Sequence, residues 1–354
     1  MKGQRFLILR LSAIGDVVRT LPAVKALKRY NPNCYIGWVV EEDSKSLLES
    51  QPEIDNVIVF PRRSLERNIK SVKGIGWVLK EIWSFALELR RQEFEVALDF
   101  HGILKSGLVS WFSKCPVRVG FDRKASREGS FLFSNIKVSL PSDRLSRIEK
   151  NLFLLKGIGI EVKKIDPKLH IPKEDKLYVD SFFKDVVKEI PKPLIAIHPG
   201  TSSKTSYKRW MPERYGSLAD RLINEVKGSI IFTWGPGELE LVKKIQKGMK
   251  NYSFLGPRTD SLTQLAEVFS NCDLYIGGDT GPTHVASFMG VPVVVIYGPT
   301  DPIINQPFGR HIKVVKKVGC NPCRKRSCQE LICLKNIVVE DVFKAAKEIL
   351  ASNI

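Results

Sequence analysis

Apolar and polar positions along this chain alternate in blocks rather than residue by residue. Short unbroken apolar runs read as strands: FLILRL (6–11), YIGWVV (35–40), VIVF (57–60), EVALDF (95–100) and VRVG (117–120). Runs without internal polar alternation are expected of strands covered on both faces. Between them lie longer stretches with helical spacing, at VVRTLPAVKALKRY (17–30), from 72 to 91, and at GILKSGLVSWF (102–112). Strand and helix by turns predict parallel strands joined by helical crossovers.

The pattern restarts after a polar, proline-punctuated stretch, DPKLHIPKED (166–175). LIAIHPG (194–200), SIIFTW (229–234), LYIGG (274–278) and VPVVVIYG (291–298) read as strands, with helices near 212–225 and 238–248. The expected architecture is α/β: two Rossmann-like, doubly wound domains, 1–170 and 171–336, facing each other across a cleft. A last helical segment, within 337–354, is expected to pack back on the first domain. Ligands of such sheets sit beyond the carboxyl ends of the strands. The loops that follow strands are therefore where chemistry is expected.

Length and composition agree with two ordinary domains: 354 residues, 43% hydrophobic and 27% charged. The charge balance adds something new. Lys and Arg number 56 against 38 Asp and Glu, a net +18 spread along the chain. Such a field attracts anions: nucleic acid, an acidic membrane surface or a phosphorylated substrate. No nucleic-acid-binding motif is present, which places that partner behind the other two. Arg10 lies inside the first apolar run and Asp16 just after it, so a secretory signal is not expected, and the protein is placed in the cytoplasm.

Four loops after strands carry candidate chemistry. After the first strand comes Ser12-Ala13-Ile14-Gly15-Asp16, where a dinucleotide-binding unit would carry G-x-G-x-x-G. Two roles are open to Asp16, a helix cap or a general base. In GGDTGPTHVASFMG (277–290), Asp279, Thr280 and Gly281 open a helix whose N-terminus suits an anion, and His284 either faces that ligand or packs. In IHPGTSSKTSYKRWMPERY (197–215), Thr201, Ser202, Ser203, Lys204, Lys208 and Arg209 are groups that hold a diphosphate, or else a solvated basic loop. In TWGPGELE (233–240), Glu238 suits ribose hydroxyls or a helix N-terminus.

Four thiols, Cys320, Cys323, Cys328 and Cys333, lie within fourteen residues. They form a candidate structural site for zinc or an iron–sulfur cluster, although the spacing fits no standard finger well. The D-x-D pair that usually holds a metal–diphosphate is absent, so a transfer needing no cofactor is the simplest expectation.

Taken together, LRLSAIGDVVRTLPAVKALK, LDFHGILKSGLVS, IHPG…KRWMPERY and GDTGPTHVASFMGVPVVVIYGPTDP resemble glycosyltransferase family 9, the ADP-heptose:lipopolysaccharide heptosyltransferases. The cysteine segment is similar to that of the second-heptose subgroup. The resemblance implies a GT-B architecture and an inverting transfer of heptose from ADP-heptose to the inner core of lipopolysaccharide. It implies an acceptor of Kdo-lipid A or its heptosylated form. It makes Asp16 the base and Lys208 the grip on the diphosphate, with Thr201, Glu238, Asp279, Thr280, Gly281 and His284 around the donor. Ser12, Gly15, Arg63 and Arg127 fall on the acceptor side. The phosphorylated acceptor lies in a membrane, so peripheral binding to the inner leaflet of the inner membrane is expected. The helix around 68–91, with Trp77 and Trp83 among basic residues, is a candidate for it or else a core helix with a solvated side. Rival readings are a family member with another nucleotide-sugar or acceptor, and a basic nucleic-acid-binding protein.

Overall fold

The computed structural model describes residues 4–352, apart from 69–71, 163, 187–189, 324 and 326. The chain divides into two units, Met1–Asp166 and Pro167–Ile354.

The first unit is built on a six-stranded sheet. In chain order its strands are β1 (Arg5–Leu9), β2 (Tyr35–Val40), β3 (Asn56–Val59), β4 (Val96–Asp99), β5 (Val117–Phe121) and β6 (Ile136–Val138). Their spatial order is β3-β2-β1-β4-β5-β6 and every pair is parallel. The order reverses at β1, which pairs β2 on one side and β4 on the other, with Leu9 opposite both Val39 and Asp99. That reversal opens a crevice beyond the carboxyl ends of β1 and β4.

The second unit repeats the plan with β7 (Leu194–His198), β8 (Ser229–Phe232), β9 (Phe254–Leu255), β10 (Leu274–Gly278), β11 (Val293–Tyr297) and β12 (His311–Val315). The order is β12-β11-β10-β7-β8-β9, again all parallel, and it reverses between β7 and β10. The central strands of both sheets are wholly buried, as their unbroken apolar runs require.

Three strands, β6, β9 and β12, have no counterpart in the apolar pattern. They lie at or next to the sheet edges and are only partly buried, so the sequence has no need to make them apolar. The expected helix 17–30 is two helices, Ile14–Val18 and Leu21–Tyr30. Pro22 brings no N–H to continue the first and opens the second instead.

The final helix, Val339–Ala351, does not belong to the first unit. Val342, Phe343, Ala346 and Ile349 enter the core of the second, against the helix Pro212–Val226 and β10–β12. Three polar contacts fix it there. Trp210 Nε1 donates to the Ile337 carbonyl at 2.9 Å, Arg221 pairs with Glu340, and the Arg221 guanidinium lies 3.9 Å over the Phe343 ring. The apolar face of the helix packs within its own unit.

Candidate active site

In the first unit the loops after β1 and β4 are tied together. The buried Arg10 donates from Nη1 to the Phe100 carbonyl at 2.9 Å, and the Leu11 N–H reaches His101 Nδ1 at 3.4 Å. Asp99 is the anchor of the second loop. Its carboxylate accepts from the N–H groups of His101 and Gly102, at 3.0 and 2.9 Å, and from Ser106 Oγ at 2.9 Å.

Asp16 lies inside the helix Ile14–Val18 and its side chain caps nothing; the N-cap position is Ala13. Its carboxylate meets cations instead. Arg10 pairs with Oδ2, Arg19 Nη2 donates to Oδ1 at 2.7 Å, and Arg147 Nε lies 3.8 Å from Oδ1. Burial alone would raise this carboxyl's pKa, but Arg10, Arg19 and Arg147 together outweigh it and hold the group well below the usual carboxylate range. Three guanidiniums around one carboxylate leave a net positive site. Arg147 and Lys150 come from the helix Arg147–Lys156. Burial, with Arg147, Arg10 and Arg127 nearby, lowers the Lys150 ammonium to about 8. Burial beside Arg10 lowers His101 to about 3, which keeps it neutral.

Of the acceptor-side residues named from sequence, Gly15 lends its carbonyl to Arg19 Nε at 3.0 Å, and Ser12 lies in the same loop. Arg127 is exposed, its N–H bonds the Gly102 carbonyl at 2.8 Å, and its charge acts on His101 and Lys150. Arg63 is turned to solvent and pairs with Asp43. It is the preceding residue, Arg62, that reaches the buried Glu41, at 2.7 Å, where Lys105 also lands at 2.6 Å. Sequence reading missed Arg10, Arg19, Arg147 and Lys150. Two signals could have found them. Arg10 interrupts a strand that must be buried, and Ser146-x-x-Glu149 is a capping box that announces the unforeseen helix. In that box the Glu149 N–H donates to Ser146 Oγ at 3.2 Å and the Ser146 N–H to Glu149 Oε2 at 2.8 Å.

In the second unit the loops after β7 and β10 meet in the same way. Lys208 Nζ lies 3.3 Å from Asp279 Oδ2 and 3.4 Å from the Asp279 carbonyl oxygen. His284 Nε2 is 3.6 Å from Asp279 Oδ1. Thr280 is the N-cap residue of the helix Gly281–Phe288, which carries Pro282 in its first turn and leaves its leading N–H groups pointing outward. Met211, which separates Trp210 from Pro212, is absorbed as the N-cap of the helix Pro212–Val226. The hydroxyls of Thr201 and Thr300 are buried and find no hydrogen-bond partner among the described residues.

Glu238 is nearly buried. The Gly235 N–H donates to its Oε2 at 2.8 Å, and His198 Nε2 lies 3.4 Å from the same oxygen. Burial would raise the Glu238 carboxyl, but His198 and the Gly235 N–H outweigh it and keep its pKa low. The fit requires glycine at 200, since any side chain there would collide with the Glu238 carboxylate. His198 in turn sits 3.0 Å from Thr233 Oγ1.

The expected metal site at the cysteines gains no support from the described residues. Cys320 is exposed, Cys323 and Cys328 are half-buried and Cys333 is buried. Among the described residues no group of three or more His, Cys, Asp or Glu is arranged to hold a metal ion.

The chain is similar to known proteins in sequence and fold. The family model of glycosyltransferase family 9 (heptosyltransferase) matches residues 82–333. The lipopolysaccharide core heptosyltransferase OpsX of Haemophilus influenzae is 30% identical over 87% of this chain and 83% of its own. Relatives named heptosyltransferase 1 and heptosyltransferase 2 both match. Among solved structures, the family 9 glycosyltransferase of Veillonella parvula superposes with a TM-score of 0.80 at 23% identity, covering 99% of this chain and 98% of that one. The E. coli heptosyltransferase WaaC gives 0.74 at 22% identity, over 98% of this chain and all of that one (100%). These likenesses extend the match to the whole two-domain GT-B fold. The chain belongs to glycosyltransferase family 9, the heptosyltransferases, and is a sugar-transferring enzyme.

Proposed function

We propose that the protein transfers heptose from ADP-heptose to the inner core of lipopolysaccharide, on Kdo-lipid A or its heptosylated form, with inversion. The observation that carries this reading is the Asp16 carboxylate set among three guanidiniums at the strand reversal of the first sheet. It combines a proton acceptor with a site for an anionic acceptor. The names of the relatives, OpsX among them, support the sugar and the core acceptor.

Asp16 takes the proton of the acceptor hydroxyl as that oxygen attacks the anomeric carbon from the face opposite ADP. The bond from that carbon to the diphosphate oxygen breaks, and ADP leaves with the bonding pair. Lys208 and the N-terminal N–H groups of Gly281–Phe288 stabilise the developing charge. The unpartnered hydroxyls of Thr201 and Thr300 gain acceptors in the same diphosphate.

The guanidiniums have a second consequence. A carboxylate held this low is a weak base. Phosphate or carboxylate groups on the acceptor would draw on Arg147, Lys150 and Arg127, leaving less positive charge on Asp16 and raising its basicity. The base would then be strengthened by the substrate it serves.

The test is ADP release from ADP-heptose, with heptose-free and one-heptose core acceptors offered separately. Release with one acceptor alone supports the reaction and identifies the heptose added. Folded protein that releases ADP with neither would move the donor or the acceptor elsewhere.

A further inference from the structure

The loop after β4 sets His101 beside the crevice of the first sheet, and the chemistry proposed above makes no use of it. Its backbone N–H is shared between the Leu9 carbonyl at 3.2 Å and Asp99 Oδ1 at 3.0 Å, which ties the residue to the ends of β1 and β4. The ring is fixed as well, because the Leu11 N–H donates to Nδ1 at 3.4 Å. A backbone N–H only donates. That bond therefore assigns the lone pair to Nδ1 and the imidazole proton to Nε2. A second proton, on Nδ1, would set two donors face to face, so the geometry resists an imidazolium. Burial and the Arg10 guanidinium act in the same direction, against the pull of Asp16, and lower the ring to about 3.

Nε2 is the unused end of the ring. It has no hydrogen-bond partner among the described residues, and it is not shut away from solvent. The charged groups that act on the ring come from three directions. Arg10 and Asp16 lie after β1, Lys105 is on the helix Leu104–Phe112, and Arg127 is in the loop whose backbone bonds Gly102. The Asp99 carboxylate is turned to the backbone of His101 and Gly102 and to Ser106. An anion drawn in by the cations would thus meet an N–H that carries no charge. That matters to Asp16. A further cation at 101 would hold its carboxylate lower still and make it a weaker base, whereas an uncharged imidazole adds a donor without that effect.

We propose that His101 binds the acceptor, donating its Nε2–H to an anionic oxygen, of a carboxylate or a phosphate, beside Asp16. The inference rests on the reading that the acceptor occupies the crevice of the first unit. Glutamine can replace both nitrogens of the ring: its Oε1 accepts from the Leu11 N–H as Nδ1 does, and its amide N–H donates as Nε2 does. Leucine can do neither. A purely structural histidine would need only the first of these bonds, and the acceptor would not notice its loss.

The experiment joins ADP-release kinetics with nitrogen-15 NMR of the full chain labelled at histidine. His101→Leu should raise the KM for acceptor about tenfold, the loss of one hydrogen bond to a charged group, with ADP affinity unchanged, and His101→Gln should restore it. The histidine signal that His101→Gln removes should show a protonated Nε2 and a bare Nδ1 from about pH 5 to 8, and its Nε2 resonance should move when acceptor is added. A folded His101→Leu that keeps its acceptor KM, a glutamine that fails to restore it, a proton on Nδ1, or an Nε2 resonance indifferent to bound acceptor overturns the inference. Should His101→Leu not fold, the resonance decides. Wild-type protein that releases ADP with neither core acceptor overturns the reaction instead; inorganic phosphate then serves as the probe anion, and an Nε2 resonance that it leaves unmoved overturns the role of His101 too.

Discussion

Arg147 holds its Nε 3.8 Å from Oδ1 of Asp16, across more than a hundred residues of chain, and completes a ring of three guanidiniums around one carboxylate. Of the three it is the least buried, with its side chain 27% exposed against 6% for Arg10 and Arg19. It is therefore the member free to turn towards an incoming anion. Arg147→Gln should raise the KM for acceptor by tenfold or more, on the order of one charge-assisted hydrogen bond, and leave ADP affinity unchanged. Steady-state kinetics with varied acceptor checks this.

Arg10 should behave differently. Its guanidinium is buried and its only polar partners among the described residues are Asp16 and the Phe100 carbonyl. Arg10→Met would leave the Asp16 carboxylate with less compensation in a partly buried site. A loss of about 3 kcal/mol of stability is expected, as for breaking a buried ion pair, visible as a lower denaturant midpoint. Asp16→Asn leaves the buried guanidiniums of Arg10 and Arg19 uncompensated and should also lower the midpoint, but among folded molecules it should lose roughly 10²–10⁴ in kcat, the usual span for a general base.

Lys150 gives a pH signature. Burial and the surrounding arginines lower its ammonium to about 8, so it is a cation below that pH and neutral above it. Its contribution to anion binding is therefore present at pH 7 and lost as pH rises through 8. The KM for acceptor should climb over that window, while the KM for a donor bound by the second unit, as proposed, should not follow. Lys150→Arg should flatten the climb, because a guanidinium stays charged throughout.

Both sheets were legible because their central strands are buried on both faces, and burial writes itself as an apolar run. The edge strands β6, β9 and β12 were not, since each is partly exposed and too short or too polar to form an apolar run, as β3 does. Asp16, Lys208 and Asp279 lie in the segments that follow β1, β7 and β10, where the sequence pointed. The cations that set the character of Asp16 were hidden for a different reason. Arg147 and Lys150 reach the site from a helix far along the chain, and no local pattern says that it returns there. Arg63, also named from sequence, pairs with a surface carboxylate, Asp43. The amphipathic pattern of the final helix declares that a face is buried but not against what, and core residues such as Phe343 are known only from the structure.

Thr201 should separate binding from stability. Its hydroxyl is buried with no partner among the described residues, which costs the folded protein free energy. Thr201→Val keeps the shape and removes that cost. The variant should melt no lower than the wild type, yet bind ADP about tenfold more weakly if the hydroxyl serves the diphosphate. Calorimetric titration with ADP beside a thermal scan reads both.

The final helix offers a test of which unit it stabilises. Phe343 is almost fully buried, under the Arg221 guanidinium and against the core of the second sheet. Phe343→Ala removes a large apolar side chain from a packed interior and should cost about 3–5 kcal/mol. The damage should fall on the unit that carries Lys208 and Asp279, so ADP affinity and local hydrogen-exchange protection in β10–β12 should decline together. Protection in β1–β5 should hold, because the core that Phe343 enters belongs to the second unit. Loss confined to the first unit would mean that the helix serves the other sheet after all.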